Sequence, residues 1–579
     1  MSSHPPMRLA SFVAALVISA AAAALWFICD RPVPVEPSWN EPLRSVSFAP
    51  FRRGQSPLTK TYPTPVQIEE DLRALVGHAR GIRTYTAREG MDVVPELAAK
   101  YGLKVIFGAW LGSERDINDR EIDALISAAN AHPDAIERVL VGNEVLLRRD
   151  LTSEQLISYI RRVKAAVKQP VSYADVWAFY LKYPEVGREV DYITIHILPF
   201  WEDEPVAIDH IEEHFVKIVD RIRQAFPGKP ILIGEAGWPS LGRDRGPAVV
   251  STVNEARFVR QMAAIAKRHD FDYNVVEAFD QPWKAALENT VGASWGVFDI
   301  DRKAKFEMSG PVVEVADWPL RAAWAIGIGF LTALAFGRSI PGFAGKLTLA
   351  LFAQLLSWLA VTTVFHVEAV SFRWWQDIWA VFRGGLAAVM AVAVVVRARE
   401  LLAEPRRAVG PALSEPPDRW RGDGLSRLFG LYAVVWTLLL AVDGRYRDIP
   451  VIDFSVPAVG LLCLLLLRAL LAGRQGAPVL PALAFDGLFR RAGGVSFRQA
   501  AWLAGCLLLS SVAAIASEGL AVMFGEDFTK DHPTFGEQVP LILRAMISNR
   551  EMNLWAIMLL SLALPYLVNV LRRRAGSAG

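Results

Sequence analysis

The chain has 579 residues, too many for one ordinary domain. Its hydrophobic fraction (53%) is high and its charged fraction (21%) low for a wholly water-soluble protein, and the excess lies mostly after residue 318. A net charge of +2 without a basic, aromatic-laced cluster argues against nucleic acid as a partner, and three cysteines (Cys29, Cys463, Cys506) rule out a disulfide framework or a Cys/His zinc site.

Residues 9–28 (LASFVAALVISAAAAALWFI) form an uncharged apolar stretch after Arg8, long enough to cross a bilayer as a helix. The alanine run offers small residues for cleavage, so a signal peptide is the alternative. The apolar run continues through Leu25, Trp26, Phe27 and Ile28, which favours a retained anchor. Residues 1–30 are therefore expected to be an N-terminal anchor or signal peptide, 31–315 a polar domain, and 316–579 an all-α polytopic membrane domain with about seven helices.

Eight short β-like runs follow one another through the polar domain, at 44–50, 81–87, 103–109, 138–144, 170–175, 191–197, 230–236 and 273–279. Amphipathic helical stretches separate them; one opens with Thr152 or Ser153 as N-cap and Glu154 in its first turn. Eight strand–helix repeats in this length predict an α/β fold, a (β/α)₈ TIM barrel. A doubly wound open sheet ranks below it, because no Gly-rich phosphate loop follows an early strand.

Seven further apolar spans are expected near 318–337, 347–367, 375–396, 426–443, 450–472, 499–524 and 553–571. With residues 1–8 in the cytoplasm, the loops on that side carry 17 Lys and Arg and the opposite loops six. This asymmetry satisfies the positive-inside rule and puts the polar domain outside the cytoplasm. For a bacterium with two membranes the expected location is the inner membrane, multi-pass, with the barrel on the periplasmic side. Arg383 and Glu518 fall within spans and read as snorkelling or buried structural pairs, with a transport pathway as the alternative.

In a barrel of this kind the chemistry sits at the C-terminal ends of the strands. Those ends carry Arg83 and Tyr85 on the second, Asn143 and Glu144 on the fourth, Tyr173 and Asp175 on the fifth and His196 on the sixth. Glu235 ends the seventh, and Glu277, Asp280, Gln281, Trp283 and Lys284 follow the eighth. Two carboxyl groups on strands four and seven face one another across the mouth, the requirement for glycosidic bond cleavage. Asn143 is placed to bond a sugar hydroxyl beside the reacting carbon, which suits Glu144 as acid/base. Arg83 and Tyr85 would keep Glu235 ionised as nucleophile. Trp238 and Trp283 are candidate sugar-stacking platforms, with a core role as the alternative for each. His196 has no partner at ligand spacing, so no metal or other cofactor is expected; it would position a sugar hydroxyl or Glu235.

The segments VLVGNEVLLR (139–148) and PILIGEAGWPS (230–240) resemble the two signature segments of glycoside hydrolase family 17, the β-1,3-glucanase family of retaining barrels. VEAFDQPWK (276–284), Glu288 and WGVFD (295–299) are similar to that family's eighth-strand region, although Asp280-Gln281 stands where plant members have Asn-Glu. The resemblance implies Glu144 as proton donor, Glu235 as nucleophile, and Lys284 and Glu288 as cleft residues. The layout also resembles bacterial membrane proteins of periplasmic β-glucan systems, including those described as β-1,6-glucan synthases. Cytoplasmic loops of at most about 30 residues leave no room for a nucleotide-sugar transferase domain.

The expected function is thus a membrane-bound retaining enzyme. It would cleave β-1,3-glucan and pass the product to another glucan, with β-1,6 branches as one outcome, or to water. Its partners would be a β-glucan, membrane lipid and a separate glucan synthase. The competing reading is a glycan exporter or scaffold whose barrel only binds glycan.

Overall fold

Apolar strands that alternate with amphipathic helices can bury both of their faces only under a cover of helices. The computed structural model, which describes residues 5–405, 422–442, 446–486, 488–489, 495–525 and 528–577, solves this by closing the sheet on itself. Eight strands, β1 (Val46–Ser47), β2 (Gly81–Arg83), β3 (Lys104–Ala109), β4 (Ile136–Asn143), β5 (Val171–Val176), β6 (Ile193–His196), β7 (Ile231–Ala236) and β8 (Asp272–Val275), form a closed barrel in sequence order. All neighbours are parallel, and β8 returns to β1 through Val275 and Val46. This is the expected (β/α)₈ topology, and each expected run overlaps one strand, with β4 starting two residues before its run, β8 one residue before and β5 ending one residue after.

After α1 (Pro5–Cys29), the helices of this unit are α2 (Pro65–Leu75), α3 (Val94–Lys100), α4 (Arg115–Ala131), α5 (Ser153–Lys164), α6 (Trp177–Lys182), α7 (Pro184–Glu189), α8 (Ile211–Ala225), α9 (Thr252–His269) and α10 (Ala285–Ala293). Their apolar stripes explain their attachment. On α8, Ile211, Phe215, Ile218, Val219 and Ile222 recur at helical spacing and are all buried, each worth about 1.5–3 kcal/mol relative to exposure. Thr152 caps α5, with Gln155 completing a capping box.

The barrel interior is more polar than the apolar runs suggest. Ser45 and Ser47 bond Asn274, Ser172 bonds Thr194, and Asn274 also donates to the carbonyl of Gly234. Ile106, Leu140, Ala174, Tyr192 and Leu232 form a small apolar layer, and Arg138 pairs with Asp272. The large apolar core lies instead between strands and helices.

The chain divides into two compact units, 32–314 and 1–31 with 315–579. The second contains α11 (Trp318–Gly337), α12 (Phe343–Ala369), α13 (Trp374–Ala403), α14 (Gly422–Val442), α15 (Val451–Arg474), α16 (Phe497–Met523), α17 (Phe535–Ser548) and α18 (Arg550–Ser577). Among the described residues, eight helices are long and apolar enough to cross a membrane: α1, α11 to α16, and α18. Helix α1 is built into this unit, with Trp26 stacked on Trp358 at 4.3 Å and Ser19 bonded to Gln354. Arg383 pairs with Asp453 of α15 at 3.2 Å, and Glu518 accepts a hydrogen bond from Asn549 at 2.8 Å. Residues 406–421 and 490–494, which carry part of the basic charge used to orient the spans, lie outside the described residues.

Candidate active site

Strand β4 ends in a turn whose backbone is left-handed twice, at Gly142 (φ 91°) and again at Glu144 (φ 51°). A Cβ on Gly142 would sit 2.7 Å from Val145, so both the dihedral and the space require glycine there. A left-handed glutamate is uncommon and costs of order 1 kcal/mol, a strain that persists only where its surroundings fix it. Here Glu144 N–H donates to the carbonyl of Ala174 on β5 at 2.8 Å, and Leu146 N–H donates to the Tyr173 hydroxyl at 2.9 Å. The bend turns the Glu144 side chain over the barrel mouth.

Strand β7 brings Glu235 to the same place. Arg83, only 1% exposed, clamps it. Its guanidinium donates to Glu235 Oε1 at 3.2 Å, to the Gly234 carbonyl at 2.7 Å and to Asn143 Oδ1 at 2.5 Å. One cation thereby ties the residue before the first acid to the second acid. His196 stands between the two, with Nδ1 2.9 Å from Glu144 Oε1 and Nε2 3.7 Å from Glu235 Oε1. One carboxylate oxygen from each glutamate and a ring nitrogen of His196 lie within 4.8 Å of one another. That spacing would admit a metal ion, but the contact of His196 Nδ1 with Glu144 already engages two of the three ligands.

The two carboxyl groups differ in environment. Burial alone would raise Glu235, yet the charges of His196, Arg83 and Lys284 outweigh it and hold this carboxyl below the ordinary glutamate range. Burial and the Glu235 charge push the Tyr85 phenol well above its ordinary value, so it remains a proton-bearing donor; it bonds Ser47 at 2.9 Å and lies under the Arg83 guanidinium. Glu144 has the more exposed side chain, 24% against 12% for Glu235.

Lys284 donates to the fully buried Glu277 at 2.7 Å, and Glu288, half-buried on α10, adds its charge to the same ammonium. Burial raises Glu277 to about 7 in spite of Lys284. Asp175 is likewise raised to about 7 by burial; it accepts from the Tyr173 hydroxyl and from Val176 N–H.

Several expectations are revised. Trp238 is fully buried, packed against Phe200 and Phe258 with its indole N–H on the Val249 carbonyl. It fills the core behind the barrel rim and has no face free for a sugar, because the Gly-Trp-Pro turn folds inward after β7. Tyr173 is also buried and braces the Glu144 turn and Asp175 instead of lining the cleft. His196 bonds Glu144, where a sugar hydroxyl or Glu235 was expected. Trp283 is half-buried, its indole N–H on Gln281 and its ring edge-on to Phe51.

Two residues escaped the sequence reading. Trp110 directly follows β3 and is 41% exposed. Arg148 lies 4.3 Å over its ring and donates to the carbonyls of Asn143 and Leu111. Position just past a strand end, the rule that selected the other site residues, applies equally to Trp110.

Residues 45–296 match the family described as the BtgE/BtgC glycoside hydrolase domain. A glucan 1,3-beta-glucosidase of Arthroderma benhamiae is 29% identical over 255 residues, covering 41% of this chain and 82% of the relative. A putative glucan endo-1,3-beta-glucosidase, btgC, of Aspergillus niger is 29% identical over 298 residues, covering 45% of this chain and 42% of its own length. The crystal structure of a glycoside hydrolase family 17 beta-1,3-glucanosyltransferase from Rhizomucor miehei covers 46% of this chain and 97% of its own at 27% identity, with a TM-score of 0.41.

Proposed function

Because residues 45–296 are a family 17 glycoside hydrolase domain of the BtgE/BtgC kind, we propose that the protein is a retaining β-1,3-glucan-active enzyme that acts through Glu144 and Glu235. The observation that carries this reading is the approach of the two carboxylates, oxygen to oxygen within 4.8 Å. A retaining pair stands about 5–5.5 Å apart, whereas an inverting pair needs about 6.5–9.5 Å to admit water.

In the first step a carboxylate oxygen of Glu235 forms a bond to the anomeric carbon. The glycosidic C–O bond breaks, its electron pair goes to the leaving sugar oxygen, and that oxygen takes the proton of Glu144. Arg83 keeps Glu235 ionised for the attack, and the amide hydrogens of Asn143 are available to a sugar hydroxyl. In the second step Glu144, now a carboxylate, removes a proton from the incoming hydroxyl as its oxygen displaces Glu235. A sugar hydroxyl gives transfer and water gives hydrolysis. Transfer is the favoured outcome, since exposed Trp110 offers an acceptor sugar a platform, and the Arg148 guanidinium over its ring donates to the carbonyl of Asn143, the residue before Glu144. Transfer onto a primary hydroxyl would make a β-1,6 branch.

The eight apolar helices support a membrane-bound enzyme. The excess of Lys and Arg in the loops on the side of residues 1–8 supports a barrel held outside the cytoplasm, in the periplasm of a two-membrane cell, near a glucan synthase that supplies its substrate.

The test uses the detergent-solubilised full chain and laminari-oligosaccharides. Longer or branched products are expected alongside shorter ones. Glu235→Gln should remove turnover, and Glu144→Gln should lower it by about 10²–10⁴-fold. Azide should restore turnover to Glu144→Ala and yield a β-glycosyl azide. Turnover that survives Glu235→Gln, or an α-configured azide, would defeat the reading.

A further inference from the structure

We infer that His196 is a positioning residue for the acid/base. Its Nδ1–H holds one oxygen of Glu144, so that the other oxygen carries the reactive proton toward the glycosidic oxygen. The inference deepens the retaining reading above and rests on it.

Three observations carry it. First, the Nδ1 to Glu144 Oε1 distance of 2.9 Å is a hydrogen bond, whereas the 3.7 Å from Nε2 to Glu235 is beyond one. Nε2 is buried without any hydrogen-bond partner. A proton there reaches no acceptor, so the proton that makes the ring's hydrogen bond is the one on Nδ1, which Glu144 accepts. Second, the imidazole cannot easily move. His196 is 1% exposed, and an added Cβ at Gly234 would stand 3.3 Å from its Cδ2, so the ring fills the space beside that glycine. Third, Glu144 has the longer lever to control. It sits on a left-handed backbone turn with a side chain 24% exposed, while Glu235 is already fixed by Arg83.

The same bond serves both steps. A donor on Oε1 is compatible with a protonated Glu144, whose proton then resides on Oε2, and with the carboxylate left after the first step. If Glu144 instead gave its proton to Nδ1, that proton would point away from the substrate. The role is therefore specific to reactions that need an acid.

Leaving-group dependence tests this in the full-length detergent-solubilised protein. Cleavage of laminaritriose needs a proton for the departing sugar, whereas a 2,4-dinitrophenyl β-laminaribioside does not. His196→Ala and His196→Gln should lower kcat/KM on laminaritriose by about a hundredfold and change it on the dinitrophenyl substrate by no more than about threefold. His196→Asn places an amide nitrogen near the position of Nδ1 and should restore most of the laminaritriose rate. Trapping of Glu235 by a 2-deoxy-2-fluoro-β-laminaribiosyl fluoride, which also needs no acid, should proceed at the wild-type rate in all three. Equal losses on both substrates with slowed trapping, or an Asn variant no better than Ala, would overturn the role. A wild-type protein that cleaves neither substrate would instead remove the glucan-active reading itself.

Discussion

At the residue scale, the mouth of the barrel separates its acids by what surrounds each one. Glu235 has a guanidinium against it and stays ionised, so the acid limb of kcat/KM should fall below the ordinary glutamate value of about 4.3. Glu277 has the opposite setting. It is wholly buried, its Oε2 has no hydrogen-bond partner, and Lys284 offsets only part of the desolvation. Its folded-state value of about 7 exceeds its unfolded value, so the folded chain binds the extra proton. The stability it contributes is complete below the unfolded value of about 4.3 and is lost as pH rises through about 7, an effect on the order of 3–4 kcal/mol. Glu277→Gln should therefore flatten the fall of the unfolding midpoint between acidic and neutral pH, followed by tryptophan fluorescence in detergent. An unchanged slope would show that the carboxyl is not protonated in the fold. The two candidate catalytic acids could be picked from sequence because strand ends are readable and paired acids at such ends are rare. The platform residues were not, because an aromatic past a strand end can turn outward, as Trp110 does, or inward, as Trp238 does, and only the packing of Phe200 and Phe258 decides which.

At the scale of elements, the strands specify more than the register of a sheet. β6 and β7 pair through Thr194 with Leu232 and through His196 with Glu235, with a shift between Ile195 and His196. That irregularity brings the imidazole and the second carboxylate to one level. Gly234 makes the close approach possible, since an added Cβ would lie 2.6 Å from Thr194 Cγ2 as well as near the His196 ring. Gly234→Ala should accordingly push β6 from β7 and tilt the imidazole away from Glu144. The expected result is a destabilisation of about 1–3 kcal/mol and a loss of laminaritriose cleavage larger than the loss of acid-independent trapping, measured on the same preparation. Strand and helix order was legible because apolar runs alternate with amphipathic stretches along the barrel unit. The polar lining was not, because Ser45, Ser47, Ser172, Thr194 and Asn274 satisfy one another across the barrel, and such pairings are invisible to a reading along the chain.

At the scale of the whole molecule, connectivity constrains where the chemistry takes place. The barrel lies in the chain between α1 and α11; if each of the eight apolar helices crosses a bilayer once, the two chain ends share one side and the barrel takes the other. Arg8 lies at the start of α1 and Arg572, Arg573 and Arg574 at the end of α18, the charges on which the proposed orientation rests. The spans themselves were legible because about 20 apolar residues are a bilayer's length of helix. Their packing was not, since Trp26 finds Trp358, and Arg383 finds Asp453, only through tertiary contact. Those contacts make α1 a member of the helical unit. The topology can be read directly. In a chain with Cys29, Cys463 and Cys506 replaced by serine, Ser309→Cys, exposed in the barrel unit, should react with a membrane-impermeant maleimide on intact spheroplasts. Gln475→Cys, exposed after α15, should react only after permeabilisation. The reverse pattern would put the barrel in the cytoplasm, where an extracellular or periplasmic glucan could not reach Glu144 and Glu235, and the charge argument for orientation would fall with it.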